Sequence, residues 1–131
     1  MRITSPNITE LKDNEIFVFG SNLSGIHGGG AAKTALNKFG AVYGNPIGIQ
    51  GNSYAIPTKD ETVRRALSVD EVKGYVDQFI RFAKNSPELH FLVTEIGCGL
   101  AGFTVDQMAP LFKEAKELDN VWLPERFLNK M

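Results

Sequence analysis

The strongest constraint on the fold of this chain is a unit that occurs twice: a short buried strand, a glycine-rich loop and a helix. Residues 15–19 are an almost continuous apolar run of β-formers, a pattern typical of a strand buried on both faces. Residues 89–94 form a second such run. Glycines follow each run, and helical patterns then begin at Ala31 and at Val105. Strands that alternate with helices predict a layered α/β domain with a largely parallel central sheet.

Helix starts are marked by local side-chain patterns. Residues 68–71 (Ser-Val-Asp-Glu) and 104–107 (Thr-Val-Asp-Gln) both have the form of a capping box. Apolar residues recur at helical spacing behind each box, which predicts helices over residues 69–83 and 105–118. Further strands are predicted at residues 53–58 and 121–123, and a turn-rich surface connection at residues 40–52. With no internal sequence repeat and no interdomain linker, residues 1–131 are predicted to form one domain.

Glycine is concentrated in the two predicted loops. It accounts for 13 of 131 residues: eight lie in the first loop, residues 20–30, or the second loop, residues 97–102, four lie in the connection at residues 40–52, and the last is Gly74. Glycine lets backbone N–H groups approach a ligand closely, and a helix N-terminus adds free donors and a partial positive charge. Ligands of open α/β sheets bind beyond the carboxyl ends of the strands. Two such loops therefore predict an anion site, with backbone amides holding a diphosphate.

Charge and composition exclude several classes of protein. The chain has 14 Lys and Arg against 15 Asp and Glu, so we expect no basic nucleic-acid surface. No apolar run approaches the roughly 20 residues of a membrane span. The first residues do not resemble a signal peptide, and Cys98 is the single cysteine, so a cytoplasmic protein without disulfides is expected. His27 and His90 have no partners at metal-ligand spacing, and neither metal nor cofactor is expected.

Two known phosphate motifs partly match the loops. Residues 97–102 (Gly-Cys-Gly-Leu-Ala-Gly) match the dinucleotide fingerprint GxGxxG, but too few residues follow for the remaining units of a dinucleotide fold. An NAD-binding α/β protein stays as an alternative. Residues 25–34 resemble a P-loop, but two alanines separate the last glycine from Lys33, which argues against an NTPase.

Several segments, in order along the chain, resemble the macrodomain family of ADP-ribose-binding proteins. They are residues 7–9 (Asn-Ile-Thr), 19–23 (Phe-Gly-Ser-Asn-Leu), 28–32 (Gly-Gly-Gly-Ala-Ala), 54–59 (Tyr-Ala-Ile-Pro-Thr-Lys) and 95–103 (Glu-Ile-Gly-Cys-Gly-Leu-Ala-Gly-Phe). The resemblance implies a three-layer α/β/α sandwich around a mixed sheet. It also implies that ADP-ribose, or an ADP-ribosylated macromolecule, lies across the strand ends.

The resemblance assigns parts of the ligand to parts of the chain. Asn7, where the family has Asp, would hold the adenine amine, with the Ile8 backbone nearby. Residues 97–103 would wrap the diphosphate, Phe103 would pack against the distal ribose, and Asn22 with residues 28–30 would border that ribose and its C1 atom. The full set of implied ligand-binding residues is Asn7, Ile8, Ser21, Asn22, His27, Gly28, Gly29, Gly30, Ala31, Ile96, Gly97, Cys98, Gly99, Leu100, Ala101, Gly102 and Phe103.

Within the family, residues 96–100 and the pair Thr58-Lys59 resemble most closely the terminal ADP-ribose protein glycohydrolases. In that branch the lysine matching Lys59 attacks the anomeric carbon, and an aspartate assists it. Ala101 occupies the aspartate position here. The candidate substitutes for that acid are Asp60, Glu95 and Asp106.

Two functions follow from the resemblance. As a hydrolase, the protein would cleave the bond between the distal ribose C1 and a modified protein or nucleic acid, with Lys59 and Asn22 as catalytic residues. As a non-catalytic module, it would only bind ADP-ribose or an NAD-type nucleotide. Simpler roles remain open for single residues: a solvated or phosphate-facing Lys59, a packed Cys98, and a His27 that belongs to the loop alone.

Overall fold

The structure, a computed structural model, describes residues 2–131. Its centre is a six-stranded sheet in the order β1-β6-β5-β2-β4-β3. The strands are β1 (Ile3–Thr4), β2 (Glu15–Asn22), β3 (Gly48–Gln50), β4 (Ser53–Lys59), β5 (His90–Val93) and β6 (Val121–Pro124). All neighbouring strands are parallel except β3 and β4. The prediction of a mixed, largely parallel sheet is confirmed.

The helices cover both faces of this sheet. They are α1 (Gly30–Lys38), α2 (Val69–Lys84), α3 (Val105–Met108) and α4 (Glu125–Leu128), and a 3-10 helix spans Ala109–Glu117. Both predicted capping boxes are present, with Ser68 and Thr104 as the N-caps. Among residues 2–131, no helix combines the length and apolar character needed to cross a bilayer.

Alternation along β2 explains the three layers. Ile16 and Val18 belong to a large apolar cluster with α2, the 3-10 helix and α4. Phe17 and Phe19 point to the opposite face and pack with α1 in a smaller cluster. Since successive side chains of a strand face opposite sides, a run that is apolar at every position needs cover on both. The result is an α/β/α sandwich.

Two local predictions differ from the structure. The predicted helix over residues 105–118 is α-helical only to Met108 and continues as a 3-10 helix. Pro110 stands at the start of the 3-10 segment and has no N–H to donate to the carbonyl four residues earlier. The turn-rich connection contains β3, and β1 lies at the opposite edge of the sheet beside β6. The sequence pattern predicts neither edge strand, since each has only two or three residues.

Candidate functional site

A long cleft follows the carboxyl edge of the parallel strands and contains two chambers. The first, called here the glycine-loop chamber, has a volume of about 670 Å³ and is lined mainly by residues 20–22, 28–32 and 94–101. The second, called the Asn7 chamber, has a volume of about 590 Å³ and is lined by residues 3–8 and by the segment after β6. Ala31, Thr94 and Glu95 line both chambers, so the two lie side by side.

The two predicted glycine loops meet across the first chamber. A Cβ on Gly20 would lie 3.5 Å from the backbone nitrogen of Gly97, so the loops approach closely at their bases. At their tips, a Cβ on Gly29 would lie 3.0 Å from a methyl group of Leu100. Leu100 lines the chamber and is nonetheless 72% exposed.

Backbone donors are plentiful in this chamber. The first N–H groups of α1, like those of any helix, have no intrahelical partner. No side chain caps them here. In the second loop, the N–H groups of Cys98, Gly102 and Phe103 close internal turns. Those of Gly99, Leu100 and Ala101 have no acceptor within the described chain, residues 2–131. Uncommitted amides beside a helix N-terminus suit a phosphate group.

Lys59 and Asn22 are neighbours at one end of the glycine-loop chamber. They are paired in register between β4 and β2, beside a local irregularity of the ladder, and both line the chamber. The Asn22 side chain is largely committed to its own loop. Its Nδ2 donates to the Ile26 carbonyl at 2.7 Å, and its Oδ1 accepts from the Ile26 N–H at 3.0 Å. One amide proton and one lone pair remain for a ligand.

Of the three candidate substitute acids, Glu95 is the one that lines the cleft. Arg126 from α4 binds it with two hydrogen bonds of 2.7 and 2.6 Å. These bonds hold the pKa of Glu95 below its usual range, so the carboxylate is a weak base. Asp60 lies outside the cleft lining and accepts from Thr62, which lowers its pKa as well. Asp106, also outside, pairs with Lys130 at 3.3 Å.

Cys98 and Phe103 are tied to the core. Burial raises the pKa of the Cys98 thiol, and the nearby Glu95 raises it further. The thiol lies 3.6 Å from the Ile96 carbonyl, to which it donates, and packs against the large apolar cluster. Phe103 lies behind Gly97 and outside the cleft lining, so the described geometry gives its ring a packing role.

His27, which the resemblance counts among the ligand-binding residues, is buried and does not line the cleft. Its side chain is 1% exposed and stands edge-on to Phe19. Its Nε2 lies 3.2 Å from Oε1 of Gln50, which also accepts from the N–H of Val42. That oxygen has no proton, so Nε2 is the protonated nitrogen of the ring. His90 is remote, at the amino end of β5 against Trp122.

The Asn7 chamber contains both predicted residues of that region, Asn7 and Ile8. Thr94, Arg126 and Val63 also line the cleft, and no sequence pattern predicted them. Nothing local marks Arg126, because its position depends on β6 lying beside β5.

Within residues 2–131, no group of three or more His, Cys, Asp or Glu side chains is placed to hold a metal ion. Comparison with protein-family models, with curated proteins and with solved structures gave no match.

Proposed function

We propose that the protein binds ADP-ribose, or an ADP-ribosyl group, along this cleft as a macrodomain-like protein. The observation that carries the proposal is the order of the segments. Asn7 follows β1, the second glycine loop follows β5, and Asn22 and Lys59 end β2 and β4. Across the sheet, β1, β5, β2 and β4 occur in that same order, which is the order of adenine, diphosphate and distal ribose in the ligand.

The dimensions of the cleft agree with an extended nucleotide. From β1 to β4 there are four strand spacings, or about 19 Å at the usual separation of neighbouring strands. The middle of this span holds the first turn of α1 and the free amides of residues 99–101. A diphosphate bound there would be held by backbone donors, consistent with a chain whose net charge is −1.

Hydrolysis of the distal ribose bond is the second candidate function. It is favoured by Lys59, whose position at the β4 end of the cleft corresponds to the C1 end of the ligand. The amine would attack C1, the modified group would leave, and water would release ADP-ribose from the lysine. An ammonium needs a base before it can attack. Glu95 is committed to Arg126 and Ala101 has no carboxylate, so the geometry supports binding more strongly than turnover.

Calorimetry with ADP-ribose tests the binding proposal. We expect saturable binding at one site, and no heat at millimolar ligand would refute it. Gly99 offers a matched pair of variants, because it lines the glycine-loop chamber and no atom lies within 4 Å of a Cβ built on it. Gly99→Glu adds a negative charge beside the diphosphate and should weaken binding by more than tenfold. Gly99→Gln adds a side chain of the same size without charge and should weaken it far less. Equal losses would contradict a phosphate at this position.

Release assays separate the two functions. The wild-type chain is incubated with an ADP-ribosylated protein and with an ADP-ribosylated nucleic acid, and free ADP-ribose is measured. If Lys59 is the nucleophile, Lys59→Ala abolishes release while keeping affinity, and Lys59→Arg does not restore it. Absence of release from every linkage by the wild-type chain would favour the binding module. Tighter binding of intact NAD than of ADP-ribose would favour the NAD-type alternative.

A further inference from the structure

Val63 has an unusual backbone conformation. Among residues 2–131 it is the one non-glycine residue with a positive φ, at 67°. A β-branched side chain is a genuine outlier in this region, which glycine and asparagine tolerate much better. Strained residues of this kind persist where the surroundings force them, and they cluster at ligand sites. The conformation of Val63 is therefore held by its surroundings and marks a candidate ligand contact.

Val63 lies in a loop, residues 60–66, that several hydrogen bonds hold together. Lys59 and Ala66 form an isolated bridge at its base, and the N–H of Asp60 donates to the Arg65 carbonyl at 2.8 Å. Inside the loop, the N–H of Val63 donates to the Asp60 carbonyl at 3.1 Å. The Asp60 carboxylate accepts from both the N–H and the hydroxyl of Thr62. This network holds Val63 in the left-handed region.

A contact from the first glycine loop fixes the 60–66 loop against the cleft. The hydroxyl of Ser24 donates to the Glu61 carbonyl. Val63 is half-buried and lines the glycine-loop chamber together with Lys59 and Asn22. Beyond β4 the sheet has only β3, whose antiparallel direction takes its carboxyl end to the opposite edge. Residues 44–47, which lead into β3, also lie at this end, since the Pro46 carbonyl accepts from the Ser21 hydroxyl and the Gly44 N–H donates to the Gly25 carbonyl. They do not line the glycine-loop chamber, whereas Val63 does.

We infer that Val63 is a specificity-determining residue: its isopropyl group forms the apolar end wall of the cleft and packs against the distal ribose. This inference rests on the proposed function. The neighbouring Lys59 and Asn22 present polar groups, and Val63 beside them supplies an apolar face against which the sugar ring is held. The wall contributes to binding of ADP-ribose and contributes nothing to binding of ADP, which lacks the distal ribose.

The test compares the two ligands on variants of the full chain by calorimetry. Val63→Gly and Val63→Asn both relieve the strain and remove the apolar wall. Each should weaken ADP-ribose binding by about tenfold, the loss expected for a few buried methyl contacts, and leave ADP binding within about twofold. Val63→Ile keeps an apolar wall and should keep the wild-type ratio of the two affinities. Val42→Gly removes an exposed valine outside the cleft lining and should change neither affinity.

Thermal melts accompany the titrations. Because the strain is relieved, Val63→Gly and Val63→Asn should unfold at or above the wild-type temperature, so a loss of affinity cannot come from unfolding. An unchanged ratio of ADP-ribose to ADP affinity in both variants would overturn the role of Val63 and leave the proposed function standing. Failure of the wild-type chain to bind either ligand would overturn both.

Discussion

Gly97 lies at the tightest point of the second glycine loop, and its replacement by alanine is expected to destabilise the fold. Its φ is +78°, and a Cβ there would lie 2.9 Å from Sδ of Met108 and 3.0 Å from Cδ2 of Phe103. Met108 is fully buried, and Phe103 packs against the same apolar cluster. Neither side chain can move away without disturbing the core, so the added methyl group meets both backbone strain and steric overlap.

The expected cost is the sum of these two effects. A non-glycine residue in the left-handed region costs roughly 1–2 kcal/mol, and overpacking a well-packed core costs about 1–3 kcal/mol. Gly97→Ala should therefore lower the free energy of unfolding by about 2–5 kcal/mol. For a chain of 131 residues this corresponds to a fall in Tm on the order of 10 °C, a large part of the stability of an ordinary domain.

Two other glycines of the same loop provide controls. Gly102 has a φ of +83°, but no atom lies within 4 Å of the position that a Cβ would occupy. Gly99 has neither a positive φ nor a close neighbour. Gly102→Ala should therefore cost only the backbone strain, about 1–2 kcal/mol. Gly99→Ala should stay within about 1 kcal/mol of wild type, since alanine restricts the unfolded chain without a clash.

Urea denaturation followed by the fluorescence of Trp122, the single tryptophan, measures all three variants. The expected order of stability is Gly97→Ala below Gly102→Ala below Gly99→Ala. If Gly97→Ala is no less stable than Gly102→Ala, the close contact with Met108 and Phe103 does not lower the free energy of unfolding. Equal stability of all three would refute the reasoning from φ as well.

Three further predictions concern other parts of the fold. Gln50→Ala should lower the free energy of unfolding by about 3 kcal/mol in urea denaturation, because it leaves the N–H of Val42 and the buried ring of His27 without their partner. Glu95→Gln should speed alkylation of Cys98 by iodoacetamide near neutral pH, because the Glu95 charge raises the pKa of that thiol; an unchanged rate would contradict this coupling. Burial lowers the pKa of His90 below the ordinary 6.5, so below that pH the unfolded chain binds a proton that the folded chain resists. Stability should then fall as the pH drops from about 6.5, and His90→Gln should flatten that part of the pH profile.

Elements with a local cause were predictable from the sequence. The capping boxes at Ser68 and Thr104 need only a side chain three residues away, and both are present. The strands β2 and β5 follow from continuous apolar runs, which require cover on both faces whatever their neighbours are. The position of both glycine loops at the carboxyl ends of these strands follows from the same patterns. That was enough to predict one cleft-lining loop on each of two strands.

The contents of the cleft were less predictable, because their partners are distant in the chain. Arg126 neutralises Glu95 from 31 positions away, and His27 meets Gln50 from 23 positions away. Whether a carboxylate acts as a base or as the partner of an arginine depends on which strands lie side by side. No spacing along the chain contains that information.

The sequence by itself thus determined the layers, the buried strands and the two amide-rich loops, since periodicity and capping act over a few residues. Only the tertiary structure decided the order of the strands, and with it the line from Asn7 to Lys59 along one edge of the sheet. It also decided the strained conformation of Val63, which no local preference favours. The physical reason is the same in each case: these features come from hydrogen bonds and packing between segments that meet only when the sheet is assembled.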